Sequence, residues 1–167
     1  MTAIAPMGPP ASGAQTERLL AFEVGGSAYA VPIADVAEVA DLGRIAAVPT
    51  LPQQVGGVMN HHGDALPIVH RGALFEVAPE GLAEPQHVLV LARSPEDRGA
   101  LGLPVDRILG LVDGAGGVAR GADAVVERRP IDGRVVSVLD ARRLLRRAAE
   151  VIERSVLAAG AVEGGEA

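Results

Sequence analysis

The sequence predicts an all-β fold, and three observations carry that expectation. Short apolar stretches alternate with turn signals roughly every 8–12 residues between about residues 17 and 139. Two of those signals, Gly25-Gly26 and Asp132-Gly133, are paired turn residues that accept φ > 0 at both central positions, as a two-residue hairpin requires. The third observation is a quiet internal repeat. Pro32-Ile33 and Pro104-Val105 stand 72 residues apart, and Val36 with Ile108 and Val39 with Leu111 keep that offset. Gly63-Asp64-Ala65-Leu66 answers Gly133-Arg134-Val135-Val136 at an offset of 70, where His70 also falls against Asp140 and Leu74-Phe75 against Leu144-Leu145. So steady an offset suggests two copies of one β-unit.

Taken in order, residues 1–16 carry no charge and are rich in Pro, Gly, Ala and Ser, which reads as a disordered tail. Residues 18–24 and 27–31 flank Gly25-Gly26 as a first hairpin, and 56–62 and 64–70 flank Gly63 as a second. Pro67, inside an apolar strand, is expected at an edge or a bulge because it cannot donate to a ladder. Residues 87–93 and 99–103 flank a polar loop at 94–98, and 124–129 and 134–139 flank Asp132-Gly133. One long helix is expected over 140–158, with Asp140 as N-cap, Leu144, Leu145, Ala148, Ile152 and Val156 on one face, and Gly160 as its stop. Residues 160–167 read as a second tail, which leaves 17–159 as the folded part.

Composition removes whole classes of function. With no cysteine, the chain offers no disulfide framework, thiolate zinc site, iron–sulfur cluster or thiol nucleophile. A net charge of −6 argues against a protein held on nucleic acid by phosphate neutralisation, and one Tyr and two Phe are too few to stack on single strands. All 15 basic residues are arginine, a pattern that fits codon usage in a GC-rich genome and excludes lysine Schiff-base and P-loop chemistry. No apolar run approaches the roughly 18 residues of a membrane span, and the Pro-broken N-terminus lacks the basic start of a signal peptide. A cytoplasmic protein is the expectation. Between residues 127 and 154 eight arginines meet five acids, a net of +3, which leaves −9 elsewhere. Five of those arginines (142, 143, 146, 147 and 154) read as a solvated helix face that folding does not need; the alternative is a docking surface for an acidic partner.

Chemistry is hard to find. His61, His62, His70, His87 and Asp64 could be imagined around a metal, but neighbouring histidines on a strand point to opposite faces, and no HxH or HExxH spacing exists. No metal site is expected. Ser94 and Ser137 stand in no nucleophile-elbow context. Gly114-Ala115-Gly116-Gly117 is followed by no helical period, so it reads as a loose loop rather than a phosphate cradle. The residues point to a protein that is not an enzyme and needs no cofactor.

Over residues 19–145 the chain resembles the CheW-like chemotaxis adaptor family. The residues that carry the resemblance stand in family order: Leu20-Ala21-Phe22-Glu23-Val24-Gly25 with Tyr29, then Pro32-Ile33-x-x-Val36-x-Glu38-Val39. Pro49-x-x-Pro52, Gly56-Gly57-Val58-Met59-Asn60-x-x-Gly63 and Pro67-Ile68-Val69 follow. The second half adds Gly102-Leu103-x-Val105-Asp106-x-Ile108, Leu139-Asp140 and Leu144-Leu145. The resemblance implies two pseudo-symmetric five-stranded SH3-like barrels, interleaved over 17–159 and sharing a hydrophobic core, with short helices and a C-terminal helix. It also implies a non-enzymatic scaffold that couples the cytoplasmic tips of chemoreceptors to the regulatory domain of a CheA-type histidine kinase, in cytoplasmic arrays, with neither nucleic-acid binding nor membrane insertion.

The receptor groove is then expected along Ile33, Val36, Val105 and Ile108, with plain core as the competing reading, and Glu38, Asn60 and His62 are expected among the contacts. The chain departs from the family at telling places. Asn60-His61-His62-Gly63 stands where relatives carry Asn-Leu-Arg-Gly, His70 replaces a usual Asp, and Glu127-Arg128-Arg129-Pro130 replaces small, Gly-rich positions. The resemblance sets His62, in place of the arginine, opposite Glu38. An imidazole offers one bond per nitrogen where a guanidinium offers two parallel ones. Two other readings stay open: an adaptor of a non-flagellar chemosensory pathway, and a small-molecule-binding or enzymatic β-barrel of similar architecture.

Overall fold

A computed structural model describes residues 16–75, 84–94, 96–115 and 124–164. Along them run β1 (Thr16–Val24), β2 (Ser27–Pro32), a 3-10 turn (Ile33–Asp35), β3 (Val36–Asp41), β4 (Ile45–Ala46), β5 (Gly56–His61), β6 (Asp64–Val69) and α1 (Arg71–Phe75). The second half continues with β7 (His87–Leu91), β8 (Leu101–Val105), β9 (Arg107–Ala115), β10 (Val125–Ile131), β11 (Arg134–Leu139) and α2 (Ala141–Gly164). Two sheets result, with strand orders β10-β11-β2-β1-β9 and β3-β7-β8-β6-β5-β4.

The internal repeat explains these orders. Under the offset of 70–72, β1, β2, β3, β5 and β6 correspond to β7, β8, β9, β10 and β11, and α1 corresponds to the start of α2. Apart from β4, one sheet order maps onto the other. Each sheet takes a hairpin from one half and three strands from the other, joined by a parallel pairing, β2 with β11 and β6 with β8. The two units are therefore interleaved, each sheet being completed by a hairpin from the other half.

Burial follows the period-2 alternation of the strands. Leu20, Phe22 and Val24 of β1 and Leu89 and Leu91 of β7 enter one central cluster with Val31, Val69, Leu103, Val105, Leu139 and Leu144. The opposite face of β1 (Leu19, Ala21) packs with Ala30 and Val138 inside one barrel, and the opposite face of β7 (Val88, Val90) packs with Met59, Leu66 and Ile68 inside the other. A shared core thus lies between two barrel cores. Leu144 and Ala148 bring α2 onto the shared core, with Leu145 and Ile152 beside them. Asp140 caps the helix by accepting the Arg143 N–H at 3.0 Å.

The three two-residue turns among the described residues have both central residues at positive φ: Gly25 and Gly26 at 58° and 83°, His62 and Gly63 at 54° and 87°, Asp132 and Gly133 at 48° and 80°. That twist matches the twist of the flanking strands.

Several expectations need correction. His62 belongs to the turn, not to the strand before it. Pro67 lies in β6, which is interior in its sheet. Alternate residues of β6 bond to β5, as the His70 N–H does to the Val55 carbonyl, so the Pro67 nitrogen faces β8. There the ladder is a single pair, Ile68 with Gly102, and no donor is missed. Helix α2 runs through Gly160 to Gly164. One helical glycine costs about 1 kcal/mol relative to Ala, and the alanines at 158, 159 and 161 carry the helix past it. Gly114 and Ala115 end β9, while Gly116 and Gly117 lie outside the described residues, as do residues 1–15 and 165–167 of the expected tails. Finally, the arginine face of α2 is not uniformly solvated: the Arg147 Nε donates to the Leu74 carbonyl at 2.8 Å and so closes the end of α1.

Candidate functional site

Glu38 sits on β3, an edge strand, just past a register slip between Val36 and Glu38 in the pairing with β7. Such a bulge re-aims the side chain that follows it. Glu38 points toward the β5–β6 turn, where the His62 Nε2 donates to its Oε2 at 2.8 Å. The His61 Nε2 stands 3.3 Å from the same oxygen. The two imidazole rings are 4.2 Å apart. Strand alternation would have separated them, but His62 leaves the strand in the left-handed region, which swings its ring back over His61. The expectation that the two histidines diverge is therefore wrong, because it treated both as strand residues. His61 is buried, whereas His62 is exposed.

Electrostatics follow from this contact. The hydrogen bond from His62 is the main cause that lowers the Glu38 pKa below its ordinary value; desolvation opposes it, and the charges of His62 and His61 add to it. Asn60 steadies the turn from below, its Oδ1 accepting the Gly63 N–H at 2.9 Å. The three side chains open onto a surface cavity of about 520 Å³ that Val36, Asp64, Ser94, Glu96, Asp97 and Arg98 also line. Glu38, Asp64, Glu96 and Asp97 against Arg98 give this lining a formal charge of −3, leaving the histidines neutral.

The expected groove residues separate into two kinds. Val36 on β3 and Ile108 on β9 are half-buried against the shared core, one from the edge of each sheet, and Ile33 is 38% exposed on the 3-10 turn. Val105 has no exposed surface and is plain core. The two edge strands also carry exposed Val39 and Leu111, which occupy equivalent positions in the repeat.

Sequence reasoning missed the ion pair between Arg71 and Asp106. Both side chains are buried, and the other Asp106 oxygen accepts the Gly25 N–H at 2.8 Å. The pair ties the start of α1 to the β8–β9 corner and the first hairpin turn. In the sequence Asp106 entered only among the residues that carry the family resemblance, and nothing there pointed to Arg71.

A family model described as the CheW-like domain matches residues 18–149. The chain belongs to the CheW-like family. Among solved structures, the CheW-like fold seen here is similar to that of the scaffolding protein TtCheW from Thermoanaerobacter tengcongensis. The TM-score is 0.62 at 16% identity, covering 75% of this chain and 89% of that one. No curated protein matches the chain in sequence. Membership places this CheW-like protein among chemotaxis scaffolds and adaptors, a non-enzymatic family. No helix among the described residues is long and apolar enough to cross a membrane.

Proposed function

We propose that this CheW-like protein couples chemoreceptors to a CheA-type histidine kinase in a cytoplasmic array, without catalysis of its own. The observation that carries the reading is the family match across 132 residues, 18 to 149, which takes in both halves of the interleaved fold. A scaffold needs a rigid body with separate faces for separate partners, and the shared core with its two flanking barrels supplies one. The receptor helix is assigned to the seam bordered by Ile33, Val36 and Ile108. Half-buried apolar side chains there leave area for a helix to cover. Glu38, Asn60 and His62 form a polar flank of the same region.

The test is a pulldown of the full chain with a CheA regulatory domain and with a receptor cytoplasmic fragment. Retention of both is expected, and Ile33→Asp, at an exposed site, should remove receptor binding while the protein stays folded by circular dichroism. Failure to retain either partner refutes the coupling role. A second reading, an adaptor of a non-flagellar chemosensory pathway, is favoured by the His61-His62 pair in place of the family's Leu-Arg. It predicts that the pulldown succeeds with the kinase of that pathway and fails with a flagellar one.

A further inference from the structure

Glu38 on β3, His61 at the end of β5 and His62 in the β5–β6 turn bring three ligand atoms within 4.8 Å of one another. The set is two imidazole nitrogens and one carboxylate oxygen. Two structural features produce it: the bulge that aims Glu38, and the positive φ that the two-residue turn gives His62. For a zinc-class ion with ligands at about 2.0–2.1 Å, the edge of a tetrahedron is about 3.3 Å. The His61 Nε2 to Glu38 Oε2 distance is 3.3 Å, already that edge. The His62 contact, at 2.8 Å, needs to open by about half an ångström, and the His62 ring is exposed enough to do so.

We propose that Glu38, His61 and His62 form a three-ligand site for a divalent transition-metal ion of the zinc class, with the fourth position open to the cavity. The donor set selects this class, because imidazole with carboxylate suits zinc, copper and nickel, whereas magnesium and calcium call for oxygen ligands. The surroundings favour a cation. The cavity lining carries a formal −3, and the cluster stands where three surface hollows meet, so an ion can reach it from solvent. A bound ion would join edge strand β3 to the β5–β6 turn, replacing a hydrogen bond of modest strength with coordinate bonds. The site does not depend on the adaptor role, and its failure would leave that role untouched.

Untagged protein, stripped with a chelator, is titrated with zinc chloride by isothermal calorimetry. One zinc per chain is expected, together with a raised melting temperature in excess zinc, since a ligand that binds only the native state stabilises it. Magnesium chloride should do neither. Glu38→Gln and His62→Asn, at partly exposed positions, should each weaken zinc binding by about 100-fold or more while leaving the fold intact by circular dichroism. His61→Ala removes a buried side chain, so the other two variants carry the test. His87→Gln, away from the cluster, should bind zinc as the parent does. The absence of saturable binding, or an affinity that survives the loss of both Glu38 and His62, overturns the proposal.

Discussion

Replacing Arg71 by methionine leaves Asp106 buried without its cation. The magnitude follows from burial. Both side chains of the pair are 6–7% exposed, so water cannot take over the solvation that the guanidinium provides. Removing one partner of a buried pair costs about 3–5 kcal/mol, because the remaining charge is uncompensated. For a domain of roughly 150 residues that corresponds to a fall in melting temperature of about 10–15 °C. Methionine keeps most of the volume, so the loss is electrostatic rather than a cavity effect. Adding Asp106→Asn to Arg71→Met removes the stranded charge and keeps an oxygen for the Gly25 N–H. The double variant should therefore recover a large part of the lost stability. Urea denaturation of the parent, both single variants and the double variant measures the coupling. An Arg71→Met cost below about 1 kcal/mol, or no recovery in the double variant, would refute the reasoning, since an exposed pair gives such values.

Other perturbations test the packing and the titration of the same body. Arg147→Gln should cost about 1–2 kcal/mol through the lost bond to the Leu74 carbonyl, whereas Arg142→Gln with Arg146→Gln, at exposed positions, should leave the melting temperature nearly unchanged. At Gly56 an added Cβ would lie 2.0 Å from the backbone oxygen of Ile68, so Gly56→Ala must displace the β5–β6 ladder. A loss of at least about 2 kcal/mol in urea unfolding is expected, and a smaller one would mean that the ladder yields easily. Burial, and then the charge of Arg71, lowers the His70 pKa below 6.5, while a backbone hydrogen bond involving Gln53 opposes both. The unfolded chain therefore binds the His70 proton first as pH falls. Stability should be highest above pH 6.5 and decline below it until the folded-state pKa is passed, and His70→Gln should flatten that segment of the stability–pH curve. A curve of unchanged shape in the variant would exclude His70 as the source.

What could be read from the chain depended on how local its cause was. The hairpins at Gly25-Gly26 and Asp132-Gly133 were legible because turn chemistry is written in adjacent residues, and the repeat was legible because matching positions kept one spacing. Strands β3 and β9 were not recognised as strands. Both are edge strands, and in β9 Gly110 and Asp113 interrupt the apolar alternation. Helix α1 is five residues long, too short to show a helical period. The exchange of strands between halves joins residues far apart, such as Phe22 and Ile108, which no local pattern records. The Glu38–His62 contact was anticipated from the resemblance, and the distance of 2.8 Å agrees. The approach of His61 was hidden by one backbone angle, because a histidine at positive φ carries no mark in the sequence. Arg71, beside His70 and before a glycine, carries no local sign of burial, and only the fold buries it.

The interleaving of the two halves has a consequence for synthesis. The β1–β2 hairpin ends at Pro32, yet its partner strand β9 begins at Arg107 and its other neighbour, β11, ends at Leu139. At about 5–20 residues per second, the roughly 75 residues between Pro32 and Arg107 take several seconds to emerge. Through that interval both faces of β1 are without cover, since Leu19 and Ala21 belong to one core and Leu20, Phe22 and Val24 to another. The sheet built around β7 and β8, by contrast, has all its strands once residue 105 has been made. The chain is thus ordered in time: the sheet rich in N-terminal strands is complete first, and the N-terminal hairpin itself is the last to be covered, exposed to whatever else is nascent nearby.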